Sequence, residues 1–262
     1  MKTTTAVTSL MLAGLALSGL AEAKQTTPFN LSIVEPVTSI SSGDAKASAF
    51  ASTLLPAVKT VAQSGTIGSK TTVAGYTTLQ IDPAQINFAT TAQARLYFVG
   101  EGADYKNSIG FNANGASVNS GTPQLAFLNA STPTPLTPGD YVNLGTFNAG
   151  TNLDFFVISN GASNPAYTSP ANLNKVFSTD VAANFDSKVH AMAFAVKDTP
   201  YLLLSFEDMS VSSDWNYRDS VLVVDIGKGN IRHFFGAPEP SLLLALGSFA
   251  AVLMTATGRR RN

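Results

Sequence analysis

YLLLSFEDMSVSSDWNYRDSVLVVDI, residues 201–226, sets two short apolar runs on either side of a polar loop. Tyr201 to Phe206 reads as one strand and Ser220 to Ile226 as the next. The same texture extends outward over most of the chain. Thr72–Ile81, Ala94–Val99, Ser108–Phe111, Gln124–Leu128, Tyr141–Phe147, Leu153–Ile158, Lys188–Val196 and Asn230–Phe235 are further candidate strands, separated by clusters of Gly, Pro, Asn and Asp. Regular spacing with turn residues between predicts a mostly β fold, an antiparallel β-sandwich of jelly-roll-like kind. The long polar connections at 113–123 and 160–174 are expected at the surface.

Only Ser41 to Ser64 has a different period. Ala47, Phe50, Leu54, Val58, Val61 and Ala62 recur at helical spacing, with Ser42 or Asp44 placed to cap. Pro56 interrupts the run, so two short helices or one kinked helix are expected. The simplest partition is a helical segment over 24–70 and a β domain over 71–235.

The loop between the first two strands concentrates oxygen-bearing side chains. Glu207 and Asp208 leave one strand, and Asp214, Asn216 and Asp219 lie before the next. Hard cations such as Ca²⁺ take six to eight oxygen ligands at about 2.3–2.6 Å, and a carboxylate-rich turn supplies them. The spacing is not that of an EF-hand, and Arg218 stands where another acid would help. A solvated acidic hairpin whose Asp side chains bond the turn backbone is the structural alternative. The carboxylates could also do acid–base work, as in glycoside hydrolysis. On a continuing strand, however, Glu207 and Asp208 would point to opposite faces, and Asp219 or Glu101 would have to complete such a site.

Residues 98–111, FVGEGADYKNSIGF, read as strand, turn, strand. Gly100 and Gly102 invite a nucleotide fingerprint, but Tyr105 stands at the third glycine position and no helix is expected to follow. A hairpin remains, with Glu101, Asp104 and Asn107 as polar ligands; Tyr105, Trp215 and Tyr217 could stack on sugar faces. His190 and His233 lack partners at metal-ligand spacing and are expected as ordinary polar positions on strands.

Composition narrows the function classes. Sixteen basic and 17 acidic residues give a net charge of -1, without the clustered basic surface that nucleic acid demands. The absence of cysteine removes disulfides, thiolate nucleophiles and Cys-ligated metals. At the start, Lys2, an apolar stretch from Ala6 to Leu20 and the triplet Ala21-Glu22-Ala23 have the layout of a secretory signal peptide over 1–23, with cleavage after Ala23. At the other end, over 236–262, Ser241 to Gly258 is uncharged and spans roughly 27 Å as a helix, close to a ~30 Å hydrocarbon core. This predicts a transmembrane helix over 241–258. Arg259, Arg260 and Arg261 then place the cytoplasmic side, with the preceding domain facing outward.

Pro238-Glu239-Pro240 directly before that run completes a tripartite ending that resembles the PEP-CTERM sorting signal of exported bacterial proteins. The resemblance implies handling by signal peptidase and a membrane-embedded exosortase, removal of the tail, and delivery to the cell surface or an exopolysaccharide matrix. The stretch from about Leu79 to Asn230 resembles domain of unknown function 4114, which occurs ahead of such tails. It does so in FVGEGADYKNSIGF (98–111), PLTPGDYVNLGTFNAGTNLDFFVISNG (135–161), KVHAMAF around His190, and LLLSFEDMSVSSDWNYRDSVLVVDIG (202–227). The family's usual form is F-E-D, a glycine-rich spacer, then D-x-D-[YF]-N-D. Here Asn216 replaces the second Asp, Arg218 the Asn, and Ser212 and Ser213 the glycines.

Two functions from different classes follow as expectations. The leading one is a non-enzymatic exported surface or matrix protein that binds carbohydrate or Ca²⁺ through the 101–107 and 207–219 loops. The other is a secreted hydrolase using Glu207, Asp208 and Asp219.

Overall fold

A computed structural model describes residues 26–168, 170–211 and 213–236. The signal peptide with Ala23, and the sorting motif, helix and Arg259–Arg261 expected over 236–262, lie outside the described residues except for Gly236. Among the described residues no helix is long and apolar enough to cross a membrane.

The fold is mostly β, in two sheets that do not close. Its strands are β1 (Ser32–Ile33), β2 (Thr78–Ile81), β3 (Ala92–Gly100), β4 (Ser108–Ala113), β5 (Gln124–Phe127), β6 (Tyr141–Phe147), β7 (Leu153–Ile158), β8 (Val176–Ser178), β9 (Ala191–Val196), β10 (Tyr201–Phe206) and β11 (Ser220–Asp225). One sheet has the order β1-β5-β4-β7-β8 and the other β2-β9-β10-β11-β3-β6. Pairing is antiparallel except for the two-residue contact of β1 with β5, which is parallel.

The middle strands of the six-stranded sheet are covered on both sides, which explains why they read as unbroken apolar runs rather than alternating ones. Leu202, Leu204 and Phe206 of β10, with Leu222 and Val224 of β11 and Leu96 and Phe98 of β3, face the other sheet. There they share a core with Ile109, Phe111, Phe155, Val157 and Phe177. Tyr201 and Leu203, with Val221, Val223, Tyr97 and Val99, face outward under helices α1 (Ala45–Ser52) and α2 (Leu55–Gln63). Asp44 caps α1 by accepting from the Ala47 N–H, and Pro56 stands in the first turn of α2, where its missing N–H costs nothing. Phe50 stacks on Tyr97 with ring centroids 4.1 Å apart. In the five-stranded sheet, Gly110 makes room for a neighbouring ring: a Cβ there would lie 2.3 Å from Phe156 Cζ.

One expected strand is a helix. Asn230–Phe235 falls in α3 (Lys228–Phe234), which follows a turn at Gly227 with φ 85°. Asn230 is fully buried: its Nδ2 donates to the Ile226 and Thr90 carbonyls and its Oδ1 accepts from the Thr90 N–H. That anchoring, and Ile231 in the core, fix a helical turn that apolar content alone read as extended. The strands expected over Thr72–Ile81 and Lys188–Val196 begin only at Thr78 and Ala191. His233 therefore lies on α3, and His190 precedes β9.

Candidate metal centre

β3 and β10 run in the same direction with β11 antiparallel between them, so the loops that leave them, 101–107 and 207–219, emerge at one rim. β10 ends at Phe206. The Glu207 N–H still donates to the His190 carbonyl (2.9 Å), but the Asp208 N–H turns to Asp219 Oδ2 at 3.0 Å. Loss of the ladder at this point removes the alternation that would have sent the two side chains to opposite faces. Glu207, Asp208 and Asp219 instead converge, each with an oxygen within 4.8 Å of the others. All three are buried.

Donors are few for so much negative charge. Asn107 Nδ2 donates to Asp208 Oδ2 at 2.6 Å, while Asn107 Oδ1 accepts from the Asn160 N–H. Glu207 Oε2 is buried with no hydrogen-bond partner, and so is Glu101 Oε2; Glu101 Oε1 accepts from the Thr132 N–H. Burial, and next the Asp219 charge, push Glu207 up to about 8 and Asp208 up to about 7. Burial also raises Glu101.

Among the described residues no ion pair reaches the trio's carboxylates; the ion pairs are Arg95–Asp44 and His190–Asp186. Arg218, which stands where another acid would help, lies against Gly102, where a Cβ would meet Arg218 Cγ at 3.0 Å and Cζ at 3.2 Å. A side chain at position 102 would have to push Arg218 aside by a few tenths of an ångström.

The remaining expected residues divide by position. Asp104, Tyr105 and Asp214 line a cleft of about 290 Å³ together with Ser213 and the trio. Asp214 is exposed and accepts from the Asn216 N–H and Nδ2, and Asn216 Oδ1 accepts from the Arg218 N–H. Asp214 and Asn216 thus spend those contacts on folding their own loop. Trp215 packs 5.2 Å from the His190 ring under Lys188, and the Tyr217 hydroxyl donates to the Val189 carbonyl. Trp215 and Tyr217 are not among the residues lining the cleft, and Tyr105 is.

Sequence reasoning missed the support behind the trio. His190 is fully buried and stacked 4.1 Å from Phe177. Its Nδ1 lies 3.2 Å from the Glu207 carbonyl oxygen, which can only accept, and its Nε2 lies 3.0 Å from Asp186 Oδ2. The ring holds the backbone at the point where β10 stops. No spacing rule in the chain announces a contact of this kind.

A family model matches part of the chain. It is described as domain of unknown function DUF4114, and it covers residues 147–227. The matched stretch holds Glu207, Asp208, Asp219 and His190, while Glu101 and Asn107 fall before it. No curated protein and no solved structure matches the chain.

Proposed function

We propose that this is an exported, non-enzymatic cell-surface or exopolysaccharide-matrix protein, a jelly-roll-like β-sandwich that binds Ca²⁺ at Glu207, Asp208 and Asp219. The observation that carries the reading is the set of three buried carboxylates whose oxygens lie within 4.8 Å of one another, with Glu207 Oε2 unpartnered. Burying a charge is costly unless something pairs it, and a hard cation pairs several carboxylates at once. Asp104 and Asp214 line the same cleft and offer further oxygen ligands. Glycoside hydrolysis is supported less well. Such enzymes need one carboxyl group as acid and a second, about 5–5.5 Å away in retaining enzymes, as nucleophile, and the crowded trio singles out no such pair.

Export is supported by the apolar stretches before Ala23 and after Pro240. Signal peptidase and an exosortase are the partners this route needs, with residues 241–258 as a membrane anchor before release. Mass spectrometry of the secreted protein is expected to find Lys24 at its start and nothing beyond the Pro-Glu-Pro motif. A secreted product that retains both termini sinks this part of the reading.

The cation is tested by thermal unfolding and calorimetric titration of the full chain with CaCl₂. A ligand at a hundredfold excess over its Kd stabilises the folded form by about 2.7 kcal/mol. Glu207→Gln and Asp219→Asn are expected to abolish that gain while leaving the metal-free protein folded. Wild-type protein indifferent to 10 mM CaCl₂, on the order of ten times the weakest extracellular sites, would falsify it.

A further inference from the structure

The outer face of the six-stranded sheet carries a second site, remote in the fold from the acidic rim. Its cavity measures about 550 Å³ and is bounded by α1, the 197–200 turn between β9 and β10, and the Gly227 turn before α3. Tyr76, Tyr201, Asp225, Lys46 and Lys228 are among the residues that line it. This volume lies within the range of about 300–1,000 Å³ that small-molecule sites occupy.

A row of polar side chains crosses the sheet beneath the helices. Tyr201 stands opposite Asp225 in the strand register, Asp225 opposite Arg95, and Arg95 opposite Asn143. Two members of the row are satisfied. The Arg95 guanidinium donates to both oxygens of Asp44, at 2.8 and 2.7 Å, and its Nε donates to Asn143 Oδ1. The other two open to the cavity. Tyr201 is only 6% exposed, its ring packs against Phe50 at 5.3 Å, and its hydroxyl has no partner among the described residues. Asp225 is 4% exposed; one oxygen accepts from the Gly227 N–H at 3.0 Å and the other has no partner among them.

Both free oxygens reach the solvent of the cavity rather than a protein partner, so a ligand that enters it finds a phenol and a carboxylate oxygen open to its hydrogen bonds. Burial drives both the Tyr201 phenol and the Asp225 carboxyl upward. The charges around the cavity balance, Lys46 and Lys228 against Asp198 and Asp225, so neither a strong anion nor a strong cation is favoured. A carboxylate oxygen accepts from hydroxyl groups, a phenol both donates and accepts, and the half-buried Tyr76 supplies an aromatic wall. We infer that this cavity binds a single neutral sugar residue, with its hydroxyls on Asp225 and Tyr201 and a C–H face against Tyr76. The inference does not depend on cation binding at Glu207, Asp208 and Asp219.

The test is saturation-transfer NMR on the full chain with free glucose, galactose, mannose and N-acetylglucosamine, each at 10 mM, on the order of the millimolar Kd of a weak single-residue ligand. At least one sugar is expected to receive magnetisation. Tyr201→Phe keeps the ring and its packing and is expected to weaken binding at least tenfold; Asp225→Asn keeps an acceptor for the Gly227 N–H and is expected to do the same. Glu207→Gln, and EDTA, are expected to leave the signal unchanged. No transfer from any of the four sugars, or transfer that survives both Tyr201→Phe and Asp225→Asn, overturns the inference. Loss of signal in Glu207→Gln alone moves the sugar to the acidic rim and overturns it equally.

Discussion

Asp154 on β7 and the Glu207–Asp208–Asp219 trio are both buried carboxylate sites, and they are built in opposite ways. Asp154 Oδ1 accepts from Ser178 Oγ and Thr179 Oγ1, each at 2.6 Å, and from the Asp180 N–H at 3.1 Å, while Oδ2 accepts from the Ser117 N–H. Four donors, from the 117 turn, the end of β8 and the residues just after it, meet one carboxylate, so the side chain ties the 117 and 178–180 segments to β7. In the trio the ratio is reversed. Three carboxylates find an amide from Asn107, a backbone N–H from Asp208 and the Ser213 hydroxyl near Glu207, and Glu207 Oε2 finds nothing. A buried acid surrounded by donors belongs to the fold's own stability, whereas acids whose oxygens outnumber their donors store repulsion that only protons or a cation relieve.

The largest expected effect comes from breaking the satisfied site. Asp154→Ala strands four donors and releases both segments, which is expected to cost about 3–5 kcal/mol in urea unfolding, with no rescue by CaCl₂. A loss under about 1 kcal/mol would show that water replaces the carboxylate without penalty.

Glu207→Gln is expected to act in the opposite direction in metal-free buffer. It removes one of three crowded charges and should stabilise the protein by on the order of 1–3 kcal/mol at pH 8. The pH dependence follows with its sign. Glu207 rises from 4.5 to about 8 and Asp208 from 3.8 to about 7 on folding, so the folded state holds protons that the unfolded state has released. Metal-free stability is therefore expected to fall as pH rises from about 4 to about 8 and to level off above. Glu207→Gln should flatten that slope, and CaCl₂, which selects the ionised form, should raise its upper end. Burial pushes Asp154 upward as well, so its share of the slope persists in Glu207→Gln. A steeper slope in the variant than in the wild type would contradict the assignment of the crowding to the trio.

The smallest effect is expected where a carboxylate is paired and half open to solvent. Asp44 caps α1 and meets Arg95 at 2.7 Å, which holds its carboxyl well below the usual range. Asp44→Ala is expected to cost about 1 kcal/mol, mostly the cap, and the loss should shrink only slightly in high salt. A change of 3 kcal/mol or more would mean that Arg95, left without its partner, disturbs the polar row beneath the helices.

The strands that were legible in the sequence are those buried on both faces. Tyr201–Phe206 and Leu153–Ile158 have the ends their apolar and aromatic content announces, and Pro56 and Asp44 mark the two helices through local chemistry. Asn230–Phe235 misled because its Phe and Ile content suits a strand, while the deciding contacts, Asn230 to Thr90 and Ile226, lie partly 140 residues away. The acidic loop was legible as a concentration of oxygen ligands. Its geometry was not: the convergence of Glu207 with Asp208 depends on where the ladder with β9 stops and on a histidine behind it. Arg218 packs on Gly102, more than a hundred residues earlier, and pairwise spacing carries no trace of that contact. The cavity under α1 escaped notice because Tyr201 and Asp225 read as the ends of two ordinary strands.

The sheet margins bear on how such a chain behaves when many copies are crowded together. β1 and β8 close the five-stranded sheet with two and three residues, and β2 offers only four on one side of the other sheet. The longest margin, β6, is met at Tyr141 by Thr38, and its pairing with β3 is broken by a register shift opposite Gly145. Unpaired backbone that is short, interrupted or covered gives a second molecule little to zip onto. The same architecture that leaves both sheets open thus guards against runaway polymerisation at high local density.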